Sequence, residues 1–327
     1  MKRSLIGYKN QILLKFGLLN IETLMLVLTD RCNLRCRMCD IWEKNKDEIK
    51  ELSLEQIRNL FFSFHLRHLK HITLTGGEPF MHKNFLEIYY LICSLRPESD
   101  FIISSNGTPT DSIIDFLREV NNHKKIKLEI SLFGKGCHDS VTQSEGAFKI
   151  CERTILTIKK DFPDLRLGIK FVITPWNYSE IEGMADYCSQ QRLPLIIKVN
   201  ENVKTYTNSV KFEENLQKNK FAFSGEQKDR ILESLNKIKN KSMVDKELVR
   251  YLIMFFAREE IKKICYVPYA SLFINSDGNV YRCRMGKPIG NINEQELDSL
   301  LNNDNPSLVF RNGDSCKDCC SVLRFFI

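Results

Sequence analysis

The sequence lacks the long apolar runs that carry a chain into or across a membrane. No stretch approaches the roughly 18 uninterrupted apolar residues of a membrane span; even the run from Ile21 to Leu28 is broken at Glu22. The basic start at Met1 to Arg3 is followed by neither a signal-type apolar block nor a small-residue cleavage site. We therefore expect a soluble, cytoplasmic protein with no membrane span.

The sequence also has no strong excess of charge of one sign and no low-complexity tract. The 48 Lys and Arg residues outnumber the 41 Asp and Glu residues by only 7, and the sequence has no internal repeat. Basic stretches such as those around Lys125 and Lys239 fall at helix-like or turn-like polar positions, which favours a solvated surface over a nucleic-acid groove. With 43% hydrophobic residues against 27% charged ones, the 327-residue chain can bury a core as one large domain, alone or with a small appendage.

Short β-rich runs alternate with helical patterns from about residue 23 to 200, which is typical of a parallel sheet with helices packed outside it. Because six such units fall short of the eight that close a full barrel, we predict an α/β fold, a partial (β/α)6 TIM-like barrel. Ser53 and Ser144 are predicted N-caps of two of the helices. The predicted strands are Thr23–Thr29, His71–Thr75, Asp100–Ser104, Lys127–Phe133, Leu165–Thr174 and Leu195–Val199.

The character of the chain changes after Val199, where a polar stretch leads into two helical patterns. Near the end, Ser271–Ile274 and Val280–Arg282 flank a turn-like segment whose Gly278 can take a positive φ, which predicts a β-hairpin. We predict an N-terminal extension over 1–22, the barrel over 23–223, a helical linker over 224–262 and a small α+β domain over 263–327.

The 12 cysteines are the unusual feature of the composition. In a long chain without an export signal, thiols stay reduced, and clustered cysteines more often bind metal or do chemistry than form disulfides. Seven of them are clustered or regularly spaced, three near the start and four near the end: Cys32, Cys36, Cys39, Cys265, Cys283, Cys316 and Cys319.

The first set places Cys32, Cys36 and Cys39 on one loop directly after the first predicted strand, at the rim where such barrels build their active sites. A closed zinc site requires four ligands, whereas an iron–sulfur cube held by three thiolates keeps one iron open to a substrate or cofactor. Packing of the three thiols, or zinc binding with a distant fourth cysteine, is the structural alternative.

A second motif, Thr75-Gly76-Gly77-Glu78-Pro79, follows the second predicted strand about 40 residues later. This combination resembles the radical S-adenosylmethionine (radical SAM) enzymes. Glycines let the backbone approach a ligand closely, and a carboxylate suits an ammonium group. A surface turn is the alternative explanation of this segment taken alone.

The resemblance implies a role for each matching position. Cys32, Cys36 and Cys39 would bind a 4Fe-4S cluster whose fourth iron is chelated by SAM, and the residues Gly76, Gly77, Glu78 and Pro79 would line the site of its methionine moiety. Met38 would cover the adenine ring, where the family usually has an aromatic residue. Ser131, at the end of the fourth strand, would meet the ribose, and the turn at Asn106 stands where the family commonly has Thr-Asn-Gly.

The four C-terminal cysteines resemble those of the twitch domain, a half-sized form of the SPASM extension in this family. Cys265, Cys283, Cys316 and Cys319 would bind one auxiliary 4Fe-4S cluster, and the adjacent Cys320 can substitute for Cys319. We therefore expect two 4Fe-4S clusters and SAM as cofactors. A four-cysteine zinc site is the alternative for this set taken by itself.

The family's chemistry implies reductive cleavage of SAM to methionine and a 5′-deoxyadenosyl radical, which abstracts hydrogen from an unactivated carbon. The expected substrate is a peptide or an amino-sugar-like or cyclitol-like small molecule. The auxiliary cluster would accept the electron left on a substrate radical, relay electrons or bind substrate. A low-potential donor such as flavodoxin or ferredoxin is the expected electron source. An epimerase that uses Cys137 as hydrogen donor is the alternative activity, and a non-catalytic iron–sulfur or zinc-binding scaffold is the alternative class. A nucleic-acid partner is not expected.

Overall fold

The computed structural model of the chain describes residues 20–43, 49–200, 222–257, 265–284 and 286–306. Within these ranges the chain forms nine strands and ten helices. The first six strands alternate with helices, so the predicted fold class, an α/β partial barrel with a small C-terminal domain, is confirmed. No helix in the described ranges is both long and apolar enough to cross a membrane.

The strands are β1 Thr23–Val27, β2 His71–Thr75, β3 Asp100–Ser105, β4 Ile126–Ser131, β5 Arg166–Ile173, β6 Leu195–Val199, β7 Ser271–Ile274, β8 Asn279–Tyr281 and β9 Gly290–Asn291. The helices are α1 Leu54–Phe61, α2 Phe85–Leu95, α3 Thr110–Glu119, α4 His138–Thr142, α5 Ala147–Asp161, α6 Ile181–Gln191, α7 Gly225–Ile238, α8 Lys246–Phe256, α9 Val267–Ala270 and α10 Leu297–Asn302. The described elements divide between two compact units.

One unit comprises the described parts of Met1–Arg31, Asn45–Ile102 and Lys263–Ile327. In it β1 pairs in parallel with β2 on one side and with β7 on the other, so that Leu24 lies between Ile72 and Leu272. Strand β7 turns back into β8 as an antiparallel hairpin. The hairpin predicted from the sequence is therefore present, and it extends the sheet along the free edge of β1.

The other unit comprises the described parts of Cys32–Lys44 and Ile103–Lys262. Here β4, β5 and β6 are parallel neighbours, with Ser131 opposite Lys170 and Val172 opposite Lys198. Along β6, and along β5 from Ile169 onward, buried and partly buried residues alternate, as expected where helices cover one face of a sheet.

The N-cap predictions have mixed outcomes. Ser53 caps α1 in a capping box, since its hydroxyl accepts from the Gln56 amide and the Gln56 side chain accepts from the Ser53 amide. The prediction for Ser144 is wrong, because α5 begins at Ala147 after Gly146, which has a φ of 74°. The carboxylate of Asp139 accepts from the amide of Gly146 at 2.7 Å, so a distant acid replaces the local serine at this helix start.

Candidate functional site

The three-cysteine loop follows β1, and its thiols lie near one another. Cys32, Cys36 and Cys39 are each partly exposed. The pKa of the Cys36 thiol is raised well above its usual value, first by burial and then by the neighbouring Cys39 and Cys32. A cationic partner beside Cys36 would oppose these effects and stabilise its thiolate form.

The loop is bound to α4 by backbone hydrogen bonds. The amide of Arg35 donates to the carbonyl oxygen of Thr142 at 3.2 Å, and the amide of Arg37 donates to that of Val141 at 2.8 Å. The Arg37 guanidinium also lies 5.0 Å from the centroid of the Trp176 ring. These contacts hold the backbone of the loop on both sides of Cys36.

A polar network lies beside the first cysteine. The Asn106 side-chain amide donates to Oδ1 of the Asn33 side chain at 2.9 Å and lies 3.9 Å from the sulfur of Cys32. Asn33 in turn donates to the Thr108 hydroxyl at 2.7 Å. The sequence signal for this network is the Asn-Gly turn after β3, which by itself predicts a turn and no contact with the cysteine loop.

The Gly-Gly-Glu-Pro segment follows β2 and packs against the end of β1. The Gly77 amide donates to the Thr29 carbonyl oxygen at 2.8 Å, and the Glu78 amide donates to that of Arg31 at 2.7 Å. A Cβ at Gly76 would stand 2.6 Å from the Thr29 oxygen, and one at Gly77 would overlap the Arg31 carbonyl. The close backbone approach is what requires glycine at both positions.

The carboxylate of Glu78 is fully buried, and its Oε1 accepts from the Phe80 amide at 3.3 Å. Pro79 begins the 3-10 turn Pro79–Met81, where its fixed φ suits the first position. The predicted role of Glu78 beside the SAM ammonium stays a prediction, since the described contacts give it a part in its own turn.

Three further residues predicted from the resemblance lie in the unit that contains the cysteine loop. Met38 and Ser131 are partly buried, and Ser131 is the last residue of β4. Cys137 stands at the start of α4, where its thiol donates to the Phe133 carbonyl oxygen at 2.9 Å. Burial raises the pKa of Cys137 to about 12, so the thiol keeps its hydrogen at neutral pH. The contacts of Met38 and Ser131 with SAM, and of Cys137 with the substrate, stay predictions.

Of the auxiliary set, Cys265 and Cys283 are partly exposed, whereas Cys316, Cys319 and Cys320 lie outside the described residues. The carbonyl oxygen of Cys283 accepts from the Gly286 amide at 2.8 Å. Within the described ranges, no three His, Cys, Asp or Glu side chains are placed to hold one metal ion. A 4Fe-4S cluster does not require this arrangement, because each of its thiolates binds a different iron. The loop of Cys32, Cys36 and Cys39 provides three thiols for such a cluster.

The hairpin between Cys265 and Cys283 is tied to the end of β1. The hydroxyl of Ser276 donates to Oδ1 of Asp30, and the amide of Lys50 donates to Oδ2 of the same carboxylate at 3.3 Å. Asp30 is buried and stands two residues before Cys32 in the chain. Sequence reasoning missed this pair, because no motif connects residues that are 246 positions apart.

A parallel α/β barrel with a three-thiol loop after its first strand and a glycine pair after its second defines a class of iron–sulfur proteins that bind SAM. Two family models match the chain: the radical SAM superfamily over residues 26–188 and an iron–sulfur cluster-binding domain, SPASM, over residues 265–320. The chain belongs to the radical SAM superfamily. The matched domains imply 4Fe-4S clusters and SAM as its cofactors.

The chain is similar in sequence to several curated proteins. It is 27% identical over 183 residues to the GTP 3′,8-cyclase of Microcystis aeruginosa, and the matched region covers 53% of this chain and 54% of the relative. It is 28% identical over 166 residues to the sporulation killing factor maturation protein SkfB of Bacillus subtilis, covering 50% of this chain and 38% of that one. The match thus spans about half the length of the first of these relatives and less of the second.

Solved structures share the fold. SuiB of Streptococcus suis, bound to SAM, matches with a TM-score of 0.63 at 15% identity, over 95% of this chain and 74% of that one. The protein anSMEcpe, also bound to SAM, matches with a TM-score of 0.63 at 17% identity, over 93% of this chain and 84% of that one. Both likenesses support the architecture of a partial barrel with its C-terminal extension.

Proposed function

We propose that the chain is a radical SAM enzyme that modifies a peptide, with an amino-sugar-like or cyclitol-like small molecule as the second substrate class. The observation that carries the proposal is the single loop with three partly exposed cysteines, where burial and then the neighbouring Cys39 and Cys32 raise the pKa of Cys36. Three thiols on one positioned loop suit a cluster with one iron left for SAM.

When bound, the cluster and SAM supply the radical that removes hydrogen from the substrate. The chain's own residues bind and orient these groups. Cys32, Cys36 and Cys39 would hold three irons, while the bare backbone at Gly76 and Gly77 would let the methionine moiety lie close to the end of β2. Ser131 would contact the ribose from the end of β4.

The names of similar proteins support a peptide substrate. SkfB is named as a maturation protein of a killing factor, and SuiB has been crystallised with its precursor peptide SuiA. The GTP 3′,8-cyclases, whose name gives a nucleotide substrate, keep a small molecule as the second candidate. In either case a low-potential donor such as flavodoxin or ferredoxin would supply the electron, and the auxiliary cluster at Cys265, Cys283, Cys316 and Cys319 or Cys320 would accept or relay one.

Anaerobic reconstitution with iron and sulfide tests the class of the protein. We expect about eight irons per chain from two cubanes, and 5′-deoxyadenosine on addition of SAM and dithionite. Cys36→Ala should lose about four irons and all 5′-deoxyadenosine. Cys93→Ala, a partly exposed cysteine on α2, is the matched control and should keep both. Bound zinc without SAM turnover would instead identify a metal-binding scaffold.

Co-expression tests the substrate class. The protein is produced together with any short peptide encoded beside its gene, and the peptide's mass is compared with that from cells producing Cys36→Ala. Loss of hydrogen atoms or a new cross-link only with the unaltered enzyme supports peptide maturation. An unchanged peptide mass after reactions in both ordinary and deuterated water, together with active SAM cleavage, would favour the small-molecule class, because epimerisation of a peptide changes its mass only in deuterated water.

A further inference from the structure

Three side chains beside Cys32 form a closed ring of hydrogen bonds. The Thr108 hydroxyl donates to Oδ1 of Asn106 at 2.6 Å, the Asn106 amide donates to Oδ1 of Asn33 at 2.9 Å, and the Asn33 amide donates to the Thr108 hydroxyl at 2.7 Å. Each side chain thus donates to one neighbour and accepts from the other. Hydrogen bonds that run in one direction around such a ring polarise and strengthen one another.

The backbone fixes the direction of the ring. The main-chain amide of Thr108 donates to Oδ1 of Asn106 at 2.9 Å, and a backbone N–H can act as a donor alone. Oδ1 of Asn106 is therefore an acceptor, and Nδ2 is the atom that faces Asn33 and Cys32. This contact assigns the orientation of the amide, which the shape of the side chain by itself would leave open.

The main chain of Asn106 is held by the neighbouring elements. Its carbonyl oxygen accepts from the thiol of Cys151 on α5 at 3.0 Å. The next residue, Gly107, has a φ of 78°, and a Cβ there would lie 2.6 Å from Cγ2 of Ile130 on β4. The turn after β3 is therefore packed against a covering helix and the next strand, and Asn106 extends from it towards the cysteine loop.

One hydrogen bond of the Asn106 amide leads out of the ring. Its Nδ2 lies 3.9 Å from Sγ of Cys32, and both residues are partly exposed. Sulfur is a weak acceptor as a thiol, but the thiolate that binds iron is a charged acceptor, and hydrogen bonds to charged acceptors are the stronger ones. Because the same nitrogen donates to Asn33, which follows Cys32 in the chain, the ring holds the donor beside the sulfur.

We propose that Asn106 is a positioning residue whose side-chain amide hydrogen-bonds the Cys32 ligand and raises the reduction potential of the SAM-binding cluster. The proposal rests on the proposed function, which puts a 4Fe-4S cluster on this loop. Hydrogen bonds to the ligand sulfurs are among the factors that set the potentials of such clusters. A donor to the sulfur stabilises the more negative, reduced form of a cluster, and so makes the cluster easier to reduce.

A redox titration of the reconstituted protein, followed by EPR, measures this role. The signal that changes when SAM is added identifies the SAM-binding cluster. Asn106→Leu keeps the approximate size of the side chain and removes the donor, so the potential should fall by at least about 28 mV, which is a threefold change in the reduction equilibrium for one electron. Thr108→Val is the matched control. It also replaces a polar group of the ring by an apolar one, but it keeps the backbone donor that orients Asn106, and its potential should change by less than half as much.

Isotope labelling gives a readout that a general structural role would not change. With ¹⁵N in the side-chain amides of asparagine, pulsed EPR of the reduced cluster should show a weak ¹⁵N coupling in the unaltered protein and in Thr108→Val. The coupling should be lost in Asn106→Leu. If Asn106→Leu takes up no cluster, the unaltered protein still decides, because a coupling there supports the proposal and its absence would overturn it.

The outcomes separate this proposal from the proposed function. Equal potentials in the three proteins, or an equal fall in both variants, would overturn the role of Asn106, while the formation of 5′-deoxyadenosine would leave the proposed function standing. A lower potential in Asn106→Leu alone, in a protein that forms no 5′-deoxyadenosine, would support the role of Asn106 and overturn the proposed function. A protein that takes up no iron–sulfur cluster would overturn both.

Discussion

The backbone amide of Glu78 donates a 2.7 Å hydrogen bond to the carbonyl oxygen of Arg31, the residue that precedes Cys32 in the chain. Together with the bond from Gly77 to Thr29, it fastens the segment after β2 to the segment that leads out of β1. The segments from which the two family motifs start are therefore held together by backbone hydrogen bonds.

Gly77→Ala should disturb this arrangement and lower SAM binding. The added methyl group would overlap the backbone of Arg31, which cannot move without breaking the hydrogen bond from Glu78. We expect at least about tenfold weaker SAM binding by equilibrium dialysis and a loss of about 1–3 kcal/mol in unfolding free energy. Gly183→Ala, at an exposed site in α6 with nothing within 4 Å, is the control and should be neutral or stabilising. Equal effects of the two would contradict the close-approach argument.

Cys283→Ala tests the predicted auxiliary cluster independently of the predicted SAM-binding cluster. The variant should hold about four fewer irons than the unaltered protein, because one auxiliary ligand is missing. It should still form 5′-deoxyadenosine with SAM and dithionite, since the Cys32, Cys36 and Cys39 loop is intact. Product formation should stop if the auxiliary cluster accepts an electron from the substrate radical. Retention of the full iron content would remove Cys283 from the ligand set.

The epimerase alternative depends on Cys137. A thiol with a pKa of about 12 remains protonated at neutral pH and can donate a hydrogen atom. If it does, the reaction in deuterated water should place deuterium in the product, and Cys137→Ala should abolish that incorporation without stopping 5′-deoxyadenosine formation. Cys188→Ala, a buried cysteine on α6, is the comparison. If incorporation continues in Cys137→Ala, Cys137 is not the hydrogen donor. Its thiol then has a structural role, the hydrogen bond to Phe133.

His138 should make stability depend on pH. Burial lowers its pKa from 6.5 to about 4, and its Nδ1 accepts from the Phe133 amide at 3.2 Å, which requires the neutral ring. The unfolded chain therefore binds the proton more readily than the folded one between these values. The contribution of His138 to the unfolding free energy is complete above pH 6.5 and falls by up to about 3 kcal/mol as the pH drops toward 4.

Urea unfolding across this range checks the His138 effect. His138→Asn keeps an acceptor near the Nδ1 position but does not titrate there, so its stability should change less between pH 6.5 and pH 4.5 than that of the unaltered protein. Between pH 7 and pH 8 the two curves should run parallel. The same slope in both proteins at low pH would assign the acid sensitivity to other groups.

Ser276→Ala should destabilise the unit that contains β1 and the hairpin. Its hydroxyl donates to the buried carboxylate of Asp30, and losing a donor to a buried charged group costs about 1–3 kcal/mol. Ser94→Ala, which removes an exposed hydroxyl bonded to a carbonyl within α2, should cost less than about 0.5 kcal/mol. Urea denaturation of the cluster-loaded proteins measures both, and a similar small loss in each would show that the Ser276 bond does not contribute.

Local patterns were sufficient for the first six strands. The runs predicted at His71–Thr75 and Leu195–Val199 have the observed bounds, because each is short, rich in β-branched residues and followed by a turn residue, Gly76 or Asn200. The strand predicted to continue to Thr29 ends at Val27 instead. Beyond that point the backbone oxygen of Thr29 accepts from Gly77, a partner that lies outside any local window.

The sequence by itself determined the family and the alternation of strands and helices, and it predicts the first cluster's ligands, since these depend on residue type at short spacing. Only the tertiary structure decided that β7 lies beside β1, that Ser276 meets Asp30, and that Asn106 meets Cys32. Periodicity gives the side on which a residue points along its own strand. It does not give the neighbouring strand or its register, which are set by packing between segments far apart in the chain.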